Sequence, residues 1–167
     1  MISPFKNMIR GFFLLPLLFS YCWYYSTSDS LPPNLKTLYI PQVVNRTSQF
    51  GLNEQLTNDL VKAFVDNGRL KVVNEADQAD LILETILSGY DNKPYSFDPQ
   101  QSVQQYQVMI TLQVNCKNVK ENNLLWNSGN LAQNSNYDHT SESEESAQQE
   151  CLKKLAEDVV TRTLTVW

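Results

Sequence analysis

The sequence predicts an α/β (α+β) fold, a two-layer sandwich in which two helices pack on one face of a mixed four- to five-stranded β-sheet. Three observations support this prediction. Residues 52–64 and 147–164 each carry an apolar stripe with the helical period of 3.6. Residues 104–118 alternate between apolar and polar side chains, with the period of two of a half-buried strand. The other apolar segments are short and rich in β-branched residues, as expected of further strands.

The first half of the chain after residue 34 reads as strand, helix, strand. Residues 35–45 are rich in β-branched and aromatic side chains, and Pro41 interrupts them, which is typical of a sheet edge or a bend. The helix that follows ends near Asn67, and Gly68 stands where a left-handed cap is needed. Residues 69–73 then form a short strand. If the two strands are parallel neighbours, the connection between them is right-handed.

The next segment contains the two longest predicted strands. Residues 79–90 form the third strand, and residues 104–118 form a long strand with one buried face and one mostly wet face. After a turn at 119–123, residues 124–133 are predicted to be the hairpin partner of the long strand. The apolar positions of the long strand 104–118 are Tyr106, Val108, Ile110, Leu112, Val114 and Cys116. Its polar positions are Gln105, Gln107, Thr111, Gln113 and Asn115, and Met109 is the one apolar residue on this polar face.

The last element is a second amphipathic helix. Ser141 and Glu144 have the spacing of a capping box, and the acidic residues around them suit the positive end of a helix dipole. The apolar stripe then continues to Leu164. A chain of 167 residues has the length of one domain. We therefore expect a single globular domain over residues 35–167.

Residues 1–21 have the pattern of an export signal peptide. Lys6 and Arg10 precede an apolar run at 11–19, and the segment contains no acidic residue. The run is too short to cross a bilayer as a helix, since a span needs roughly 20 apolar residues. We therefore expect an exported protein whose leader is removed.

Cys22 follows this leader and is the candidate lipidation site. Exported bacterial lipoproteins carry a lipobox that ends in cysteine with small residues before it; Ser20 fits this pattern, and Tyr21 is bulkier than usual. We expect fatty acyl chains such as palmitate on Cys22, and a lipidated tether over residues 22–34. The alternative is that Cys22 is an ordinary thiol at the tail of a cleaved leader.

Charge and motifs argue against several classes of function. The chain has 13 basic and 18 acidic residues, a net charge of −5. Removal of Lys6 and Arg10 with the leader leaves 11 against 18, or −7, which does not attract nucleic acid. No phosphate-binding loop, dinucleotide fingerprint or paired-cysteine metal motif occurs, so no cofactor and no metal are expected. Because His139 is the single histidine on which catalysis would depend, we expect a binding protein rather than an enzyme.

Cys116 and Cys151 are the two cysteines that remain if Cys22 is lipidated. They either pair as a disulfide in an oxidising compartment or stay as two small buried thiols. Both fall on apolar stripes, which favours the second alternative.

The order of these elements resembles a known family. The segments "SLPPNLKTLYIPQVVNRTSQFG" after the cysteine, "ADLIL" and "QYQVMITLQV" on strands, and the acid-capped final helix resemble the lipopolysaccharide-assembly lipoprotein family LptE over essentially residues 22–167. The resemblance implies the fold predicted above and a lipid anchor on the periplasmic side of the cell outer membrane. It also implies a plug inside the β-barrel LptD that helps deliver lipopolysaccharide, with no bond-making step.

The resemblance further implies two sets of binding residues. One set hydrogen-bonds to the wet lining of a barrel, and its candidates are Gln105, Gln107, Gln113 and Asn115. The other set consists of basic side chains for the anionic head of lipopolysaccharide, and its candidates are Lys93, Lys117 and Lys120. The alternative function is a periplasmic lipoprotein that acts as a binding module of another envelope or secretion complex.

Overall fold

Seven strands and two α-helices make up the part of the chain that the computed structural model describes, residue 32 and residues 34–165. A short 3₁₀ helix, Ala76–Gln78, precedes the fourth strand. In chain order the elements are β1 Thr37–Tyr39, β2 Val44–Asn45, α1 Leu52–Asn67, β3 Lys71–Val73, β4 Leu81–Phe97, β5 Val103–Asn118, β6 Asn123–Asn127, β7 Leu131–Asp138 and α2 Glu144–Thr165.

The strands form one mixed sheet. Its spatial order is β3, β1, β4, β5, β6, with β2 also pairing with β4 and β7 also pairing with β5. β1 is parallel to β3 and β4, whereas β5 is antiparallel to β4, β6 and β7. The α+β class predicted from the sequence is confirmed, and the sheet has seven strands instead of four to five because two predicted strands are each divided.

Both divisions have a local cause. Pro41 lies between β1 and β2, where its missing N–H prevents a continuous ladder. Between β6 and β7, Gly129 adopts a φ of 58°, in the left-handed region that favours glycine. Ser128 bridges this second break, since its hydroxyl accepts from the N–H of Val114 at 2.8 Å and its N–H donates to the Val114 carbonyl at 2.9 Å. β5 therefore keeps its hydrogen bonds through the break.

β4 and β5 form a long hairpin with a bulge at Ser88. Leu87 pairs with Leu112 and Gly89 with Thr111, so Ser88 is an extra residue that reverses which side chains face the helices. Gly89 allows the strands to come close here, because a Cβ at this position would lie 3.2 Å from the Cβ of Thr111. β4 continues to Phe97, seven residues past the predicted end.

The two helices begin and end with identifiable caps. α1 ends as predicted, with Gly68 at a φ of 72° and its N–H donating to the Phe64 carbonyl at 3.1 Å. α2 is capped by Ser143, whose Oγ accepts from the N–H of Ser146 at 3.1 Å. The capping box predicted from Ser141 was therefore placed two residues too early.

The core lies between the helices and one face of the sheet. α1 and α2 pack against each other, and α2 also packs on β5 and β7. The apolar positions of β5 from Val108 to Cys116 are buried as the alternation predicts, and Tyr106 at the start of the row is half-buried. The opposite face of the strand is open along most of its length. Fully buried core residues include Leu56, Leu60, Leu83, Leu87, Val108, Ile110, Leu112, Leu152 and Leu155.

Candidate functional site

The four residues predicted to bind a partner all lie on the open face of the sheet. Because side chains alternate along a strand, Gln105, Gln107, Gln113 and Asn115 point away from the helices that cover the buried row. Gln105 and Gln113 are exposed, and Gln107 and Asn115 are half-buried by their neighbours. Ten residue positions separate the first from the last, which is about 33 Å along an extended strand. The structure therefore aligns them in one long row.

A second row of amides lies beside the first. The side-chain amide of Gln107 donates to Asn136 Oδ1 at 2.9 Å, and that of Gln113 donates to Asn130 Oδ1 at 3.0 Å. Asn127 donates in the same way to Asn115 Oδ1. We refer to both rows together as the amide face, which consists of Gln105, Gln107, Gln113, Asn115, Asn127, Asn130 and Asn136.

The second row was not found from the sequence. The asparagines of 127–136 are the signal in the sequence, but the predicted strand over 124–133 is divided into β6 and β7 in the structure. The break at 128–130 changes which β5 residue lies beside each asparagine. Only the register seen in the structure pairs Asn136 with Gln107.

The amide pairs leave hydrogen-bonding groups free for a partner. Each side-chain amide has two N–H donors and two acceptor lone pairs, and a lateral pair uses one donor of one amide and one lone pair of the other. The remaining groups face solvent. The pairs also hold the side chains in one orientation, which reduces the entropy lost when a partner orders them. The amide face is thus a preorganised hydrogen-bonding surface.

Small side chains separate the two ends of the amide face. Gly89, Thr111 and Ala132 lie side by side on three neighbouring strands, and Met109 beside them is 39% exposed. A partner can approach the backbone closely over Gly89, Thr111 and Ala132, because these three side chains are short. Contacts of a partner with this waist would be mainly apolar, whereas its contacts with the amides at either end of the amide face would be hydrogen bonds.

Two of the three lysines predicted to bind lipopolysaccharide lie far apart and have acidic partners. Lys93 lies in β4, which continues past the predicted strand end at residue 90, and it pairs with Asp91. Lys117 Nζ lies 2.7 Å from Glu84 Oε2. In the β4–β5 register Lys93 is opposite Gln107, ten positions or about 33 Å from Lys117. These two lysines do not form one cationic cluster, and their role in lipopolysaccharide binding stays a prediction.

Lys120, the third lysine, pairs with a nearly buried carboxylate. Asp80 is 9% exposed, and its Oδ1 lies 2.6 Å from Lys120 Nζ. Its Oδ2 accepts from the N–H groups of Lys36 at 2.9 Å and Thr37 at 3.1 Å, and from the Thr37 hydroxyl at 3.0 Å. Lys120 first, and then these hydrogen bonds, hold the pKa of Asp80 well below its usual range. Asp80 therefore joins the turn after β5 to the start of β1. A lipopolysaccharide-binding role for Lys120 also stays a prediction.

The cysteines of the domain have the properties of structural thiols. Cys116 and Cys151 are free and buried. They are therefore two buried thiols in this structure and not a disulfide. Burial raises the pKa of Cys116 to about 12 and that of Cys151 to about 11. Because the thiolate is the nucleophilic form, neither thiol is an activated nucleophile at neutral pH.

His139 is exposed and lies edge-on to Tyr106, with ring centroids 5.8 Å apart. Among residues 34–165, no three His, Cys, Asp or Glu side chains are grouped so that they could hold a metal ion. The expectations that the chain is not an enzyme and needs no cofactor stay predictions. Cys22 and the lipobox lie outside the described residues.

Solved structures share this fold. A hypothetical protein, CT253, from Chlamydia trachomatis has a TM-score of 0.58 at 8% identity, with 79% of this chain and 98% of that chain covered. Lipoprotein B from Nitrosomonas europaea has a TM-score of 0.53 at 18% identity, with 82% and 83% covered. A minor lipoprotein from Acinetobacter baumannii has a TM-score of 0.53 at 13% identity, with 80% and 93% covered. At these identities the likeness shows the fold alone.

Sequence comparison identifies the family directly. No curated protein matches the sequence. The family model LptE, described as lipopolysaccharide-assembly, matches residues 35–163, which include all seven strands, α1 and all of α2 except its last two residues. The chain therefore belongs to the LptE family of lipopolysaccharide-assembly proteins.

Proposed function

We propose that this chain is an outer-membrane lipoprotein that docks in an LptD-type β-barrel and supports lipopolysaccharide transport and outer-membrane assembly. Membership of the LptE family supports the role in lipopolysaccharide assembly. The observation that carries the docking step is the amide face, an open polar surface on a sheet whose other face is covered by both helices.

The amide face suits the inside of a large barrel better than it suits an apolar partner. The interior of outer-membrane barrels is polar, and its side chains need hydrogen-bond partners when water is displaced. Amides satisfy donors and acceptors alike, so they fit a lining of mixed polarity. They are also uncharged, and their desolvation costs less than that of an ion pair. Gln105, Gln107, Gln113 and Asn115 are the proposed contacts.

The membrane attachment belongs to the same proposal. Residues 1–21 would be removed as a signal peptide, Cys22 would carry the lipid, and residues 22–34 would connect it to the domain. Within the described part of the chain, no helix has both the length and the apolar character needed to cross a bilayer. Lys93, Lys117 and Lys120 are the proposed contacts for lipopolysaccharide.

Site-specific photocrosslinking tests the docking surface. A photoreactive amino acid would replace Gln107 or Gln113 in one pair of variants, and Lys62 or Lys153, which are exposed on the helical side, in a control pair. We expect adducts with a large outer-membrane barrel from the first pair and none from the second. Equal adducts from both pairs would contradict docking through the amide face. Adducts with a different envelope protein would instead support the alternative binding module.

A further inference from the structure

The outer edge of β7 presents backbone groups that point away from the sheet. Val114 bonds to Ser128 through both its N–H and its C=O, so both groups point to the side of β5 on which β7 lies. Every second residue of a strand points the same way, so the even-numbered residues of β5 bond to β7. The β7 residues opposite them are Leu131, Gln133, Ser135 and Tyr137. The residues between these, Ala132, Asn134 and Asn136, therefore direct their N–H and C=O groups outward.

Asp138, the next residue in this outward series, shows the same direction. Its N–H donates to Glu142 Oε2 at 3.1 Å, and its C=O accepts from the N–H groups of Ser141 at 3.1 Å and Glu142 at 2.7 Å. The backbone of Asp138 is thus occupied by the turn that leads to α2. Within the part of the chain that the structure describes, the outward groups of Ala132, Asn134 and Asn136 have no such partner, and all three residues are exposed.

The other edges of the sheet have features that hinder the addition of a strand. Exposed edges recruit further strands, and proteins guard them with short strands, lysine, proline or bulges. β2 and β3 have two and three residues, and β6 has five with a bulge in its pairing with β5. The outer half of β4 contains Lys93 and Pro94, and proline has no N–H to donate. β7 has eight residues, a regular register with β5, and no lysine, arginine or proline. Among the edges that the structure describes, β7 is therefore the long one without a guard.

We propose that the edge of β7 pairs with the same edge of a second copy of this chain, antiparallel about a two-fold axis at Asn134. Two residues of an antiparallel pair exchange both hydrogen bonds when each points at the other strand. With Asn134 opposite its own copy, Ala132 lies opposite Asn136 of the second copy, so all three outward residues of each chain are paired. A shift of two residues either leaves one of them unpaired or requires Asp138, which the turn already occupies. The free groups of β7 thus complement themselves in one register.

The side chains also suit a second copy. The amide of Asn134 is exposed and forms no hydrogen bond with any described residue. Across the axis it would lie beside its own copy, as Gln107 lies beside Asn136 within one chain. A two-fold pair is closed, so it covers both unguarded edges without growing into a fibre. This inference does not depend on docking in a barrel.

Cysteine crosslinking tests the register. Residues of a hydrogen-bonded antiparallel pair have Cα atoms about 5.5 Å apart, which is within the range of a disulfide. We therefore expect Asn134→Cys, oxidised as the purified full chain in mild detergent, to form a covalent dimer. Met109→Cys is the matched control, because Met109 lies beside Asn134 on the same face but one strand farther from the axis. Its two copies would be about 14 Å apart and should stay unlinked. The wild type, oxidised in parallel, corrects for links through Cys22.

A charge substitution tests the same axis without a crosslink. Asn134→Lys would place two ammonium groups opposite each other, so the dissociation constant of the dimer, measured by analytical ultracentrifugation, should rise about fivefold. Met109→Lys should leave this constant unchanged, with circular dichroism as the check that both variants are folded. Equal crosslinking of Asn134→Cys and Met109→Cys, or a wild type that sediments as a monomer at every concentration, would overturn the proposal. So would Asn134→Cys that links in cells to a different protein and not to itself, because the edge would then accept a foreign strand.

Discussion

Replacement of Asp80 by alanine should destabilise the domain more than any other single acidic substitution at the surface. Asp80 is 9% exposed, and its carboxylate accepts three hydrogen bonds from Lys36 and Thr37 at 2.9–3.1 Å. At about 1 kcal/mol each, these bonds contribute about 3 kcal/mol. The ion pair with Lys120 adds less than about 1 kcal/mol, because that side chain is 66% exposed. For a domain of this size the loss corresponds to a fall in Tm of about 10 °C.

Urea and thermal unfolding of the wild type, Asp80→Ala and the exposed control Asp77→Ala would measure this loss. The pH dependence gives a second test. Because the folded state holds the pKa of Asp80 below its usual range, its stabilisation is complete above the unfolded value of about 3.9 and is lost as pH falls towards the folded value. The stability gap between wild type and Asp80→Ala should therefore narrow below about pH 4. Equal urea midpoints for Asp80→Ala and Asp77→Ala at neutral pH would show that the hydrogen bonds of Asp80 do not stabilise the domain.

Three further outcomes are expected. Leu155→Asp should unfold the domain, because Leu155 has 0% exposure and an unpaired carboxylate there costs several kcal/mol; unchanged thermal stability by circular dichroism would contradict the packing of α2. Cys116 and Cys151 should react with a thiol reagent at pH 8 only after unfolding in urea, because burial raises the pKa of both thiols; rapid reaction of the native protein would show that they are accessible. Cys22→Ala should abolish labelling of the protein by radioactive palmitate in cells, and persistent label would place the lipid elsewhere.

Local patterns predicted the elements that have one buried face and one wet face. The alternation in β5 and the cap at Gly68 are both present as expected, because side-chain period and glycine conformation depend on nearby residues alone. The end of β4 was missed for a related reason. Beyond Tyr90 this strand passes the helices and most of its side chains are at least partly exposed, so Lys93 and its neighbours carry no alternation to detect.

The candidate site could be predicted only in part. The row on β5 follows from its own alternation, but the second row depends on pairing between distant segments. The turn at Gly129 sets that register, and the sequence alone does not reveal how β7 aligns with β5 after it. The bulge at Ser88 has a similar effect on β4. It brings Tyr90 to the helix face, where its hydroxyl contacts Glu144 and accepts from Gln148 at 2.7 Å.

Affinity purification of the native chain from outer membranes, with mass spectrometry of its partners and of its N-terminal peptide, tests the proposed function most directly. We expect an LptD-type barrel in stable association and an N-terminal peptide that begins with acylated Cys22. An unmodified N-terminus beyond Cys22 and no associated barrel would contradict it.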